Sequence, residues 1–176
     1  MEKSVKFKQY QALHKETIDK LRALADTDAD RDDLFYGDES LLLKKAMVAS
    51  DKAAQLDSLT LAYMGDGVYS LFIRQLVVSV GILHVRVLHA IVTSFICAKA
   101  QARALEELET SFNEVELQVA KRARNSHVHV PKSATVQEYR WSTAFEAVLG
   151  YLYMTQQTKR LQSFMKQAFI TSLKGL

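Results

Sequence analysis

One cysteine, one proline and six glycines are too few to punctuate a sheet protein of 176 residues, so a fold rich in strands and turns is excluded and an all-α fold is expected. The lone Cys97 cannot form an internal disulfide framework and points to a reducing compartment. Its apolar neighbours in SFICAKAQA predict a small buried side chain. No stretch reaches the roughly 18 uncharged apolar residues of a membrane span. The N-terminus has neither the apolar segment of a signal peptide nor the acid-poor character of a transit peptide, so a cytoplasmic protein with no membrane partner is expected.

What is present, 48% hydrophobic and 24% charged residues, suits one soluble domain with an appendage. The net charge of +3 is unevenly spread. Residues 1–50 carry nine Lys/Arg against ten Asp/Glu, whereas residues 51–176 carry fourteen against ten, and Lys121 to Arg140 five against one. Val5, Leu13, Ile18, Leu21 and Leu24 predict one amphipathic helix over Val5 to Ala25, followed by the acidic linker DTDADRDD. That linker lacks the glycine and terminal glutamate of a calcium loop. Residues 1–50 are therefore read as an accessory extension and 51–176 as the main domain.

In the main domain the pattern predicts a helix from about Gln55 to Ser79, capped by Asp57 or Ser58 and stopped at Gly81. A second is predicted from Val85 to Glu107. A third begins at the Asn113/Glu116 capping box and closes on Lys121, Arg122 and Arg124. SHVHVPKSAT reads as an exposed loop, in which His127 and His129 lack a nearby third ligand for zinc. VQEYRWSTAFEAVLGYLYMTQ and a helix from Thr158 to Leu173 complete the chain, the last as a plain packing face.

Two positions violate this pattern. Asp66 stands between Gly65 and Gly67 in the apolar run LTLAYMGDGVYSLFIRQLV, and Glu146 stands among Trp141, Phe145, Val148 and Leu149. An unpaired carboxylate in apolar surroundings costs several kcal/mol, so each must be protonated, paired or open to a cleft. Glycines inside a helix cost about 1 kcal/mol each relative to alanine and imply close approach of another chain or a ligand. The two acids fit a pair of crossing helices converging on a divalent cation; structural ion pairs with Arg74 or Arg140 explain them equally well.

LAYMGDGVY resembles the signature helix of the ribonuclease III catalytic domain, and STAFEAVLGYLY resembles that family's second catalytic helix. With LH followed by AKAQA, KRARN, the loop proline-lysine and YRWSTAFEAVLGYLY, in that order, the chain is similar to the Mini-III ribonucleases, the short branch without a double-stranded-RNA-binding domain. The resemblance covers about residues 55 to 170. It implies a helical ribonuclease III-like domain in which Asp66 and Glu146 are catalytic residues and metal ligands for Mg²⁺, with Mn²⁺ able to substitute. It also implies a homodimer packed through Tyr63, Met64, Gly67 and Phe72, acting on double-stranded RNA, with a ribosomal RNA precursor as target and a ribosomal protein among the partners it brings into view. The general family pattern carries two more acids, where this chain has Ala62 and Thr143, a reduction the Mini-III branch shares. Lys121, Arg122, Arg124, Asn125, Lys132 and Arg140 form a basic rim suited to phosphates along A-form RNA, or simply a solvated helix end. His89, Lys99 and Gln101 fall in matching blocks and are weaker candidates for the substrate side. A catalytically silent module of the same fold that binds RNA or assembles into ribonucleoprotein is the alternative.

Overall fold

The computed structural model describes residues 50–79, 85–126 and 130–175, which belong to one compact unit, Val48–Leu176. The helix and linker expected within residues 1–49, the Gly81 cap, and His127 and His129 lie outside the described residues. All regular structure that is described is helical: α1 Ser50–Gln55, α2 Ser58–Ser79, α3 Val85–Ile96, α4 Ala98–Leu108 with a 3-10 turn at Glu109–Ser111, α5 Glu114–Arg124, α6 Val136–Met154 and α7 Thr158–Lys174.

The sequence of α6 explains its place at the centre. From Ser142 to Leu152 every residue except Glu146 is buried, and a helix apolar nearly all round must be enclosed by others. Packing Phe145, Leu149 and Leu152, each 1% exposed or less, contributes about 1.5–3 kcal/mol apiece. Helices α2, α4 and α5 pack around it, and α7 lies across α4 and α6. Thr135 starts α6 with a capping box to Glu138, and Gln156, at a φ of 56°, ends the turn leading into α7.

Helix α2 is the most extensive partner of α6. Asp57 caps it, its Oδ2 accepting from the backbone amides of Leu59 at 3.0 Å and Thr60 at 3.1 Å. Leu61, Tyr69, Ile73 and Val77 supply its buried stripe, and Tyr69 meets Phe145 edge to face at 5.0 Å. Two glycines set how closely α2 and α6 approach. A Cβ on Gly65 would strike the Glu146 carbonyl, and one on Gly150 would strike the Leu61 carbonyl. The close approach that Gly65 permits is therefore to α6 of its own chain, whereas Gly67 faces open space.

At the N-terminus of α5, Asn113 and Glu116 cap each other reciprocally at 2.9 Å. The fully buried Glu116 also receives Arg160 from α7 in a two-pronged pair at 2.9 and 2.8 Å. Two expectations need correction. The single helix expected over Val85 to Glu107 is divided at Cys97, whose extended ψ of 153° makes it the N-cap residue of α4. In the last turn of α3 the hydroxyls of Thr93 and Ser94 bond back to the His89 and Ile91 carbonyls, a competition with helical continuation that needs neither proline nor glycine. The same break leaves Cys97 exposed, not buried.

Candidate active site

The backbone contact at Gly65 has a chemical consequence. Because α2 and α6 touch at Gly65 and Glu146, the next residue of α2, Asp66, lies beside the Glu146 side chain, and both line one cavity of about 740 Å³. Ala62 and Tyr63 of α2, Thr143 of α6, Lys99 and Gln101 of α4 and the Cys97 junction complete much of its wall, with Pro131, Ser133 and Ala134 along one side. Asp66 is exposed to this space, while Glu146 is half-buried. Neither acid forms an ion pair with Arg74, Arg140 or any other cation among the described residues; Arg74 donates instead to Ser70 Oγ.

Burial, and after it the neighbouring Asp66 charge, pushes the Glu146 carboxyl up to about 8 from an ordinary 4.5. Gln101 draws it back, although its Nε2 makes no close hydrogen bond. The cavity thus brings together two acids, the second held protonated to about 8 by burial and by the charge of the first, with Lys99 the cation on its wall but in no ion pair with either. Hard oxygen donors in this arrangement fit a divalent cation that keeps most of its waters. Among the described residues no group of three or more His, Cys, Asp or Glu forms a closed metal site, so two protein carboxylates are the donor set this cavity offers. Thr143, which stands where the broader family pattern has an acid, donates its hydroxyl to the Tyr139 carbonyl at 2.9 Å and keeps only acceptor capacity toward the cavity.

The basic residues separate into two groups. Lys121, Arg124, Asn125 and Arg140 line one recess of about 490 Å³ with Trp141. Arg124 is partly committed there, paired with Glu109 at 3.1 Å and lying 5.5 Å above the Trp141 ring. Lys132 is exposed on the loop before α6. Arg122 does not join the recess; its guanidinium donates to the Ala54 carbonyl.

Tyr63, Met64, Gly67 and Phe72 line a second, strongly apolar groove of about 1160 Å³ between α2 and α7. Its opposite wall is Leu161, Met165, Phe169 and Ile170; Leu161, Phe164 and Met165 are buried in the core as expected of a packing face, while Phe169 and Ile170 are only partly covered at the groove. Tyr63, 80% exposed, and Asp66 line both this groove and the acidic cavity. Sequence reasoning missed the α7 wall and the Cys97 junction. The signal for the first was a stripe of large apolar residues wider than one neighbour needs, and for the second no signal was present.

Residues 59–157 match the family model described as the ribonuclease III domain. The chain is similar to proteins named Mini-ribonuclease 3 from Clostridium tetani, 40% identical over 114 residues covering 64% of this chain and 76% of that one, and from Streptococcus pneumoniae, 42% identical over 113 residues covering 62% and 88%. Its fold is similar to the crystal structure of a Fusobacterium nucleatum protein, with a TM-score of 0.60 at 29% identity, covering 62% of this chain and 90% of the other. No described helix is long and apolar enough to cross a membrane.

Proposed function

The chain belongs to the ribonuclease III family, in its Mini-III branch, and from that premise we propose that it is a divalent-metal-dependent endoribonuclease hydrolysing phosphodiester bonds in double-stranded regions of RNA. The observation that carries the reading is the convergence of Asp66 and Glu146 in one cavity, enforced by the glycine contact between α2 and α6. Asp66 and Glu146 would hold Mg²⁺, or Mn²⁺ in its place. When bound, such a cation activates water as a nucleophile and neutralises charge developing on the phosphate. The protein's own part is placement: the two carboxylates are fixed on helices packed backbone to backbone, where small shifts are costly. The products are a 5′-phosphate and a 3′-hydroxyl.

Lys121, Arg124, Asn125 and Arg140, with Lys132 on the adjoining loop, would carry the phosphates of an A-form duplex, whose shape and backbone are the main features a protein can read. Arg122, exposed but with its guanidinium donating to the Ala54 carbonyl outside that recess, would contribute least among the six. The α2/α7 groove, with Tyr63, Met64, Gly67 and Phe72, would be the face of a homodimer, giving two sites for two strands. Residues 51–176 form the catalytic domain in this reading and residues 1–50 an accessory extension. A cytoplasmic ribosomal RNA precursor is the proposed substrate, with a ribosomal protein as a candidate partner.

The decisive experiment is cleavage of a duplex RNA in Mg²⁺ by the full chain and by Glu146→Gln. Cleavage by wild type and its loss in the variant are expected. Binding without cleavage by wild type would favour the silent RNA-binding module, and undiminished cleavage by the variant would remove Glu146 from the site.

A further inference from the structure

The acidic cavity contains a polar group that the two carboxylates do not explain. Gln101 lies one turn into α4, is 2% exposed, and lines the cavity with Asp66 and Glu146, yet its Nε2 has no hydrogen-bond partner. Its backbone has little freedom to move, because Ala100, Ala102, Ala104 and Leu105 bury α4 against the rest of the domain, chiefly α6. A buried amide donor without an acceptor is unfavourable, and such groups in folded proteins have a reason. The acceptor facing the same cavity from α6 is the Glu146 carboxyl.

From this geometry we propose that Gln101 is a positioning residue: its amide closes onto one oxygen of Glu146 and turns the other toward Asp66, the arrangement in which the two acids share a cation. Glu146 is only half-enclosed and its side chain has three rotatable bonds, so packing alone does not select one orientation. A donor fixed on a neighbouring helix does. The alanines on either side of Gln101 in AKAQA let α4 lie close enough to α6 for the amide to reach. The carboxamide also makes chemical sense where a lysine or arginine would not, since it orients the acid without neutralising the charge that attracts the metal. The free state thereby retains an unsatisfied group whose partner arrangement is completed only with the cation in place.

The inference rests on the metal-dependent reading of the site, and its test separates the two. Gln101→Met keeps the length of the side chain and removes the donor. In the full chain without RNA, thermal unfolding is followed while Mg²⁺ or Mn²⁺ is titrated, alongside duplex RNA binding in EDTA. The Mg²⁺ concentration giving half the stabilisation is expected to rise about tenfold, the usual consequence of losing a group that orients a metal ligand. Unfolding of the metal-free variant should stay unchanged or rise by a few degrees, because an orphaned donor has been removed. RNA binding in EDTA should be unaltered. A purely structural glutamine would instead lower metal-free stability and leave the midpoint alone. An unchanged Mg²⁺ midpoint, or a metal-free protein destabilised by several degrees, overturns the proposal. If Gln101→Met does not fold, Gln101→Leu is measured in the same way, and failure of both assigns Gln101 to the core. A wild type that neither responds to Mg²⁺ nor cleaves duplex RNA defeats the proposed function itself, whereas a normal wild type beside an unresponsive Gln101 variant series defeats only the role of Gln101.

Discussion

Replacing Glu146 by glutamine should make the metal-free protein more stable above neutral pH, and the size of the gain tests whether the cavity brings the acids together. In the folded chain Glu146 holds its proton up to about 8, against an ordinary 4.5, because burial and then the Asp66 charge oppose ionisation. Below pH 4.5 both folded and unfolded chains bind that proton and the residue has no pH-dependent effect. Between 4.5 and 8 the unfolded chain releases it while the folded chain keeps it. Stability therefore falls as pH rises, by about 1.4 kcal/mol per unit. Above 8 both states are ionised and the loss is complete.

Taken at face value the window of about 3.5 units corresponds to roughly 5 kcal/mol; water reaching a half-enclosed carboxylate relaxes part of it, and about 2 kcal/mol is the difference to seek at pH 8.5. Glutamine mimics the protonated acid and does not titrate. The unfolding midpoints of wild type and Glu146→Gln, measured in EDTA at one protein concentration, should be within about a degree at pH 5 and separate by roughly 4–8 °C at pH 8.5, with the variant higher. Asp66→Asn should recover a smaller part of the gain, being the second cause of the shift. Adding Mg²⁺ at pH 8.5 should reverse the order, stabilising wild type and leaving the glutamine variant where it was. A separation that is the same at pH 5 and pH 8.5 would refute the reasoning, because it would mean that Glu146 ionises as freely folded as unfolded.

Arg160→Met should cost about 3 kcal/mol of stability, read from denaturant unfolding, because it strands the fully buried Glu116 without its cation; cleavage by the folded fraction at low temperature should persist. Arg140→Ala should weaken duplex RNA binding and flatten the salt dependence of log K by roughly one unit of slope, whereas Arg122→Ala should leave the slope unchanged, its guanidinium being held at the Ala54 carbonyl. Leu71→Asp, on the exposed part of α2 that lines the apolar groove, should shift the particle mass by light scattering from dimer to monomer; an unchanged mass would place any dimer face elsewhere.

Helix existence was readable from the chain because the apolar periodicities of α2, α6 and α7 are long and interrupted only by the two acids. The Asn113/Glu116 box could be read for a similar reason: a cap is a local interaction, and its two partners are three residues apart. The break at Cys97 could not. Hydroxyl back-bonding by Thr93 and Ser94 leaves the composition of a continuous helix intact, and whether it stops the helix depends on where the next turn must pack. Burial of Glu116 by Arg160 was equally hidden, since the partners are 44 positions apart and each sits in a segment that reads as an ordinary polar helix end.

The role of Gly65 shows the limit more sharply, and it bears on the chemistry. From sequence, a glycine beside an acid in an oily helix announces that something comes close, without saying what. In the folded chain the approaching group is the Glu146 backbone, with Gly150 and Leu61 making the reciprocal contact one turn away. The glycines are thus part of the same device as the acids. Side chains at both crossing points would hold the helices apart, and a wider crossing would let water fill the gap between Asp66 and Glu146. Two well-solvated carboxylates would then ionise independently, with little reason to share a cation. By closing the crossing, Gly65 and Gly150 place the second acid where burial and its neighbour's charge both oppose its ionisation. That opposition is a cost the bound ion must offset: the ion displaces the Glu146 proton and neutralises both charges, so affinity for it should rise with pH up to about 8.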